Sequence, residues 1–292
     1  GGGGGSGGGG EGGGAAHNRD GHRDMRVRRA SLELRAKRQV KAAAAAADAM
    51  TMADSAMTYR LVVKEVAMKN GVHASFMPKP LNNVNGSGMH VNQSLFAGDE
   101  NVFFDATSED GLSPTAHYYI AGLLRHAPDF TLVTNQWVNS YKRLQPGFEA
   151  PVYVTWAHRN RSDLIRIPAS KPDRPESTRI EYRAADSACN PYLTFAVTLA
   201  AGLEGIVSQR QLPDAVEENI YRLSDSERAE RGIATLPGSL GEAIGHFAGS
   251  KLMRETLGDH VFESFLENKR IEWNEYRAHV TDFEIQRYFP VL

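Results

Sequence analysis

The sequence predicts an α+β fold, on three observations. Helix signals recur along the chain, as apolar spacing over residues 53–69 and as cap residues at Ser113, Asn190, Ser224, Ser239 and Thr281. Two segments, around His90 and around Glu181, alternate polar and apolar residues with period 2. The helices do not alternate regularly with strands, which disfavours a doubly wound parallel sheet.

Taken in order, the helix over 53–69 stops at Asn70-Gly71, and residues 72–77 read as a strand broken by Pro78 and Pro80. Ser113-Pro114 caps and opens a helix running to about His126. Asn190-Pro191 opens a long apolar helix to about Val207, whose composition suits a core. Ser224 with Glu227, Ser239 with Glu242, and Thr281 with Glu284 each match a capping box. Between Val261 and Val280, Phe262, Phe265, Leu266, Trp273 and Tyr276 form a helical stripe suited to packing or a subunit contact.

Composition narrows the function classes. The first fourteen residues hold twelve of the 28 glycines, so residues 1–16 read as a Gly-rich disordered tract. Residues 17–47 join a basic stretch to the alanine run Ala42–Ala47 and read as a charged, helix-prone tail, not expected to pack against the rest. The globular body is expected over 48–292. Residues 1–41 carry nine Lys/Arg against four Asp/Glu, leaving 24 against 31 in residues 42–292. A mildly acidic body argues against a nucleic-acid platform. Cys189 is the single cysteine, which excludes a disulfide scaffold and fits a cytoplasmic protein. The longest nearly apolar run, from Tyr192 to Leu203, is too short for a span of ~20 residues. Nothing apolar follows the opening glycines, so neither a signal peptide nor membrane association is expected.

The chemistry concentrates in a few strings. After the turn Asn85-Gly86-Ser87-Gly88, period 2 puts His90, Asn92 and Ser94 on one face and Met89 and Val91 on the other. Such a face could simply be solvated. In Arg179-Ile180-Glu181-Tyr182-Arg183 the charged residues share a face, either as a salt-bridge ladder or as a grip on phosphoryl or carboxylate oxygens. Arg143, Arg159, Arg161 and Arg166 lie upstream, and Pro and Gly bracket Glu149 in a loop. The pattern alone supports an Arg-rich site for an anionic substrate.

The strings FMPKPLNNVNGSGMHVNQSLF, YIAGLLRHAPDF, NSYKRLQPGFEAPV, RNRSDLIRIP, RIEYRAADSACNPYLTFAVTLAAGLEGI and LPGSLGEAI resemble, in order and spacing, the catalytic domain of type I glutamine synthetase. The resemblance implies a curved, mainly antiparallel sheet packed with helices, and ATP-dependent ligation of ammonia to glutamate through γ-glutamyl phosphate. It implies Mg2+ or Mn2+ as cofactor and a homo-oligomer of two stacked rings. His90 and Glu181 match metal ligands, and Asn85, Gly86 and Arg143 match contacts to glutamate. Glu149 matches the flap glutamate, and Arg161 and Arg183 match arginines on the transferring phosphoryl group. Asn92, Ser94, Arg166 and Arg179 match nucleotide contacts.

Departures from the family pattern are specific. Asn92 stands where a second His is usual, so it can hydrogen bond but carries no charge. Glu176 stands where some members have Lys, and the string after Tyr221 lacks the sequence that follows the adenylylated tyrosine, which points to feedback control instead. The family's N-terminal β-grasp domain and first acidic metal-binding segment have no counterpart in residues 1–47. This chain alone is therefore expected to make little glutamine. Two other readings stand beside the ligase: a non-catalytic truncated fragment, and a γ-glutamyl-amine (polyamine) ligase.

Overall fold

A computed structural model describes residues 1–2, 47–147, 150–160, 162–169 and 174–292. Expectations for residues 3–46, and for Glu149 and Arg161, lie outside the described residues. The chain divides into two compact units, one holding 57–75 and one holding 48–56 with 76–292.

Helix α1 (Ala49–Lys69) starts four residues earlier than the apolar spacing suggested. The Asp48 carboxylate accepts hydrogen bonds from the Thr51 amide (3.0 Å) and hydroxyl (2.6 Å) and so caps it. It ends at Lys69, directly before Asn70-Gly71, as expected. Residues 72–77 form no strand, which corrects the expectation: among the described residues no ladder pairs them with another strand.

The second unit contains the sheet. Its order is β1 (Val91–Gln93), β6 (Ile180–Tyr182), β5 (Asp163–Arg166), β4 (Tyr153–Ala157). The pairs β1–β6 and β6–β5 are antiparallel, while β4–β5 is parallel. A separate two-stranded ribbon joins β2 (Phe96–Ala97) to β3 (Glu100–Asn101). The fold is α+β.

Two helices form the centre of the core. Ser113 caps α2 (Pro114–Thr134) by accepting from the Ala116 amide. This helix continues eight residues past its expected end and carries Pro128 inside. A proline interior to a helix costs ~3 kcal/mol, but Phe130, Leu132 and Val133 are fully buried beyond that point. Burying three large apolar side chains offsets the loss at roughly 1.5–3 kcal/mol each. The short α3 (Val138–Arg143) follows, and α4 (Pro191–Val207) then runs as predicted, capped by Asn190. The backbones of α2 and α4 meet at Gly122 and Gly205, where an added Cβ on either would collide with the other helix.

Four helices follow: α5 (Asp225–Glu230), α6 (Leu240–Gly249), α7 (Lys251–Arg277) and α8 (Asp282–Tyr288); α6 and α7 bury residues in the core, whereas α5 and α8 bury none. Capping boxes are complete at Ser224 and Thr281. At Ser239 only half forms, because the Glu242 carboxylate accepts from the Gly238 amide instead. Gly258, at φ 72°, breaks α7. The predicted aromatic stripe packs inward: Phe262 stacks on Phe247 with centroids 4.6 Å apart, and Trp273 covers Gly241. Among the described residues no helix is long and apolar enough to cross a membrane.

The Gly122–Gly205 contact yields a test. Gly122→Ala should gain up to ~1 kcal/mol of helix propensity, yet overpacking typically costs 1–3 kcal/mol. We expect a net loss of stability in denaturant unfolding; an unchanged midpoint would mean that the helices separate freely there.

Candidate functional site

The β1–β6–β5 register builds the site. Asn92 lies opposite Glu181, and Glu181 lies opposite Arg166, forming one polar row across three strands. The neighbouring row, Val91–Tyr182–Ile165, is buried in the core. Period 2 therefore separates charge from packing.

Glu181 is the centre of the polar row. The residue is 6% exposed. His90 Nδ1 lies 2.7 Å from Oε1, and Arg166 donates to Oε2 through Nε at 2.6 Å, with its Nη2 also 2.6 Å from that oxygen in an ion pair. Burial alone would raise the Glu181 carboxyl, but the His90 hydrogen bond and the charges of His90, Arg166 and Arg183 outweigh it and hold the group below the usual range. Around this centre, Arg179 Nε donates to Asn92 Oδ1 at 3.2 Å, and the Ser94 hydroxyl donates to the Thr178 carbonyl at 2.8 Å.

Arg143 approaches from α3 and is 4% exposed. Its Nη1 donates to the Ala184 carbonyl at 2.5 Å and its Nη2 to the Arg183 carbonyl at 3.3 Å. The side chain passes against Gly86 and Gly88, where any Cβ would strike it. That requirement explains two glycines of the 85–88 turn better than backbone freedom does. The turn is pinned by Ser87 N to Pro78 O (2.8 Å) and Met89 N to Ala185 O (2.9 Å). Asn85 is exposed at its start.

Arg183, at the end of β6, is also buried. It is held by its amide to Leu164 O (3.0 Å) and by Nη1 to Asp163 O (3.3 Å). The segment after β4 is braced from outside the sheet. Glu217 accepts from the amides of His158 (2.7 Å) and Arg159 (3.3 Å), and Asn160 Nδ2 donates to Val216 O (3.1 Å). The Tyr221 hydroxyl donates to the Ala150 carbonyl at 3.0 Å, and its ring packs beside Tyr153.

The structure thus brings His90, Asn92, Ser94, Arg166, Arg179, Glu181 and Arg183 onto one region and sets Arg143 against Arg183. Sequence reasoning did not single out Glu217, which only the fold places beside the segment, or Asp163. The second had a signal: Asp163 and Ile165 share a face of β5 by period 2, and Ile165 faces the core. Asp163 is fully buried, and neither carboxylate oxygen has a hydrogen-bond partner among the described residues.

Among the described residues no group of three or more His, Cys, Asp or Glu converges to hold a metal. His90 and Glu181 converge as a pair. A cation such as Mg2+ is commonly held by one or two carboxylates, with waters and phosphate oxygens completing six ligands. One imidazole and one carboxylate suit a cation of that kind, or Mn2+, shared with a phosphorylated ligand.

Burial pushes the Asp163 carboxyl up to about 7, with Glu217 adding to the rise and Thr155 and Arg183 opposing it. The unfolded chain loses this proton near pH 4. Between about pH 4 and 7 the folded state therefore binds the extra proton, and stability falls as pH rises through that window. Asp163→Asn should remove this loss and be more stable than the parent by on the order of 3 kcal/mol above pH 8, with the gap closing toward pH 4. Paired thermal melts across pH test this; a gap independent of pH would contradict it.

A family model described as glutamine synthetase, catalytic domain, matches residues 22–288. A glutamine synthetase of Methanosarcina mazei is 54% identical over 245 residues, covering 84% of this chain and 54% of the relative. One from Thermotoga maritima is 50% identical over 236 residues, covering 81% and 53%. A solved structure titled as a GmaS/ADP complex aligns with a TM-score of 0.75 at 34% identity, covering 84% of this chain and 55% of the other. The chain spans about half the length of the curated relatives it matches.

Proposed function

The chain belongs to the glutamine synthetase catalytic-domain family, and from that premise we propose that it serves ATP-dependent ligation of ammonia to L-glutamate, giving glutamine. The observation that carries the proposal is the polar row Asn92–Glu181–Arg166 with His90 closing on Glu181, and the buried Arg143 beside it.

The reaction is read as two displacements. A γ-carboxylate oxygen of glutamate attacks the γ-phosphorus of ATP, and ADP leaves with the bridging oxygen. The ammonia nitrogen then attacks the acyl carbon and phosphate departs. Charge grows on phosphoryl oxygens in the first step, and fixed cations there lower the barrier. Arg183 and Arg161 are assigned to those oxygens, and Arg166, Arg179, Asn92 and Ser94 to the nucleotide. Arg143, Asn85 and Gly86 orient glutamate. Arg143 keeps guanidinium donors beyond the two used on carbonyls, so it can grip the α-carboxylate while anchored. Glu149 is assigned to taking a proton from ammonium and to closing the site against water, which would hydrolyse the acyl phosphate.

His90 and Glu181 would hold Mg2+ or Mn2+; such a cation supplies charge neutralisation for the phosphate oxygens. Glutamate, ammonia and ATP are the proposed substrates. Assembly into a ring-forming homo-oligomer and a cytoplasmic location belong to the same reading. Residues 1–47 are proposed as a segment outside the catalytic domain at 48–292.

The test is direct. Calorimetry with a non-hydrolysable ATP analogue should show Mg2+-dependent binding, and Glu181→Gln should weaken it at least tenfold. Equal affinities would remove the metal assignment. A product assay with ATP, glutamate and either ammonia or a polyamine tests the acceptor, with glutamine expected to predominate.

A further inference from the structure

Arg143 carries a full charge in a site with almost no access to water. The two hydrogen bonds described for its guanidinium go to neutral carbonyl oxygens. Arginine does not shed its proton to escape burial, so the fold must supply a counter-charge or the side chain must leave. The glycine turn blocks the second course, because Gly86 and Gly88 lie against its aliphatic and guanidinium parts.

The acidic group that acts most strongly on it is Asp186, itself fully buried. It belongs to the same stretch that supplies both carbonyls to Arg143, and it pairs with Gly88 through an isolated antiparallel bridge. Its Oδ2 accepts from the Ser140 hydroxyl at 2.5 Å, and its Oδ1 from the Ala188 amide at 2.9 Å. Ser140 stands one turn before Arg143 on α3. Asp186 therefore contacts both structures that aim the arginine: its carboxylate meets the helix that carries it, and its backbone pairs with the turn that confines it.

We propose that Asp186 is the positioning residue for Arg143: it fixes α3 through Ser140 and supplies the buried charge that keeps the guanidinium aimed at its ligand. Burial works against the Arg143 charge, and Asp186 is the strongest of the neighbours sustaining it, while Arg183 opposes it. Asp186 is assigned no contact with substrate and acts only through Arg143. The inference rests on the assignment of Arg143 to the glutamate α-carboxylate, although the Asp186–Arg143 coupling itself does not.

Asp186→Asn separates the two roles, because the amide oxygen can still accept one of the hydrogen bonds while the charge is lost. Ser140→Ala does the reverse, keeping the charge and removing one donor. The expected result for Asp186→Asn is glutamate binding about tenfold weaker, with affinity for the ATP analogue within twofold of the parent. Ser140→Ala should weaken glutamate binding by less, about twofold to threefold. Equal losses for both ligands, or an unchanged glutamate affinity, would overturn the proposal. The second readout needs no ligand: the Nε–H signal of Arg143, assigned with Arg143→Gln, should shift in Asp186→Asn and hold nearly constant in Ser140→Ala. If the parent binds no glutamate, a shifted signal sustains the coupling while the substrate assignment fails; an unmoved signal ends the coupling as well. Should Asp186→Asn not fold, Ser140→Ala still decides: a loss as large as that of Arg143→Gln would place the whole effect in the hydrogen bond and refute the charge role.

Discussion

The Glu181 carboxylate lies on a middle strand of the sheet with an imidazole on one oxygen and a guanidinium on the other. Its partners come from opposite sides, His90 from the β1 side and Arg166 from β5, so the pairing is satisfied only if β6 lies between those strands. A buried carboxylate without such partners would cost several kcal/mol. The same register sets Val91, Tyr182 and Ile165 in a row on the core side. A slip of one residue would turn Glu181 into the core and Tyr182 into the site. Packing and charge thus enforce a single alignment, and the remaining functional side chains inherit their places from it.

Around that sheet, position is maintained by segments with little regular structure. Trp156 Nε1 donates to the Pro213 carbonyl, Glu217 holds two amides, and Asn160 reaches Val216. These bonds fix the residues following β4 without a helix or strand. The arrangement fits an anion-binding role, where several arginines repel one another unless the backbone holds them.

Much of this was legible in the chain. The caps at Ser113, Asn190, Ser224 and Thr281 are local signals and worked as local signals. The faces around His90 and Glu181 followed from period 2. What misled was whatever depends on distant neighbours. The helix opened at Ser113 was expected to end near His126, yet it continues through Pro128 to Thr134 because the residues there are buried. Residues 72–77 read as a strand, yet strand character requires a partner that short-range pattern cannot supply. The site divides in the same way. The charges on each strand could be read, whereas the contact of Arg166 with Glu181, and that of Ser140 with Asp186 across 46 positions, exist only after folding. Residue roles came from the ordered motifs, since period and spacing left a solvated face and a salt-bridge ladder open.

The passage of Arg143 between Gly86 and Gly88 has an evolutionary side. A methyl group at either glycine would displace the arginine, and a different residue at 143 would leave a gap beside a turn already lacking side chains. Lysine would fit the passage with a slimmer head but would give up the planar fork. No single step improves the arrangement, so the three positions should drift together or not at all.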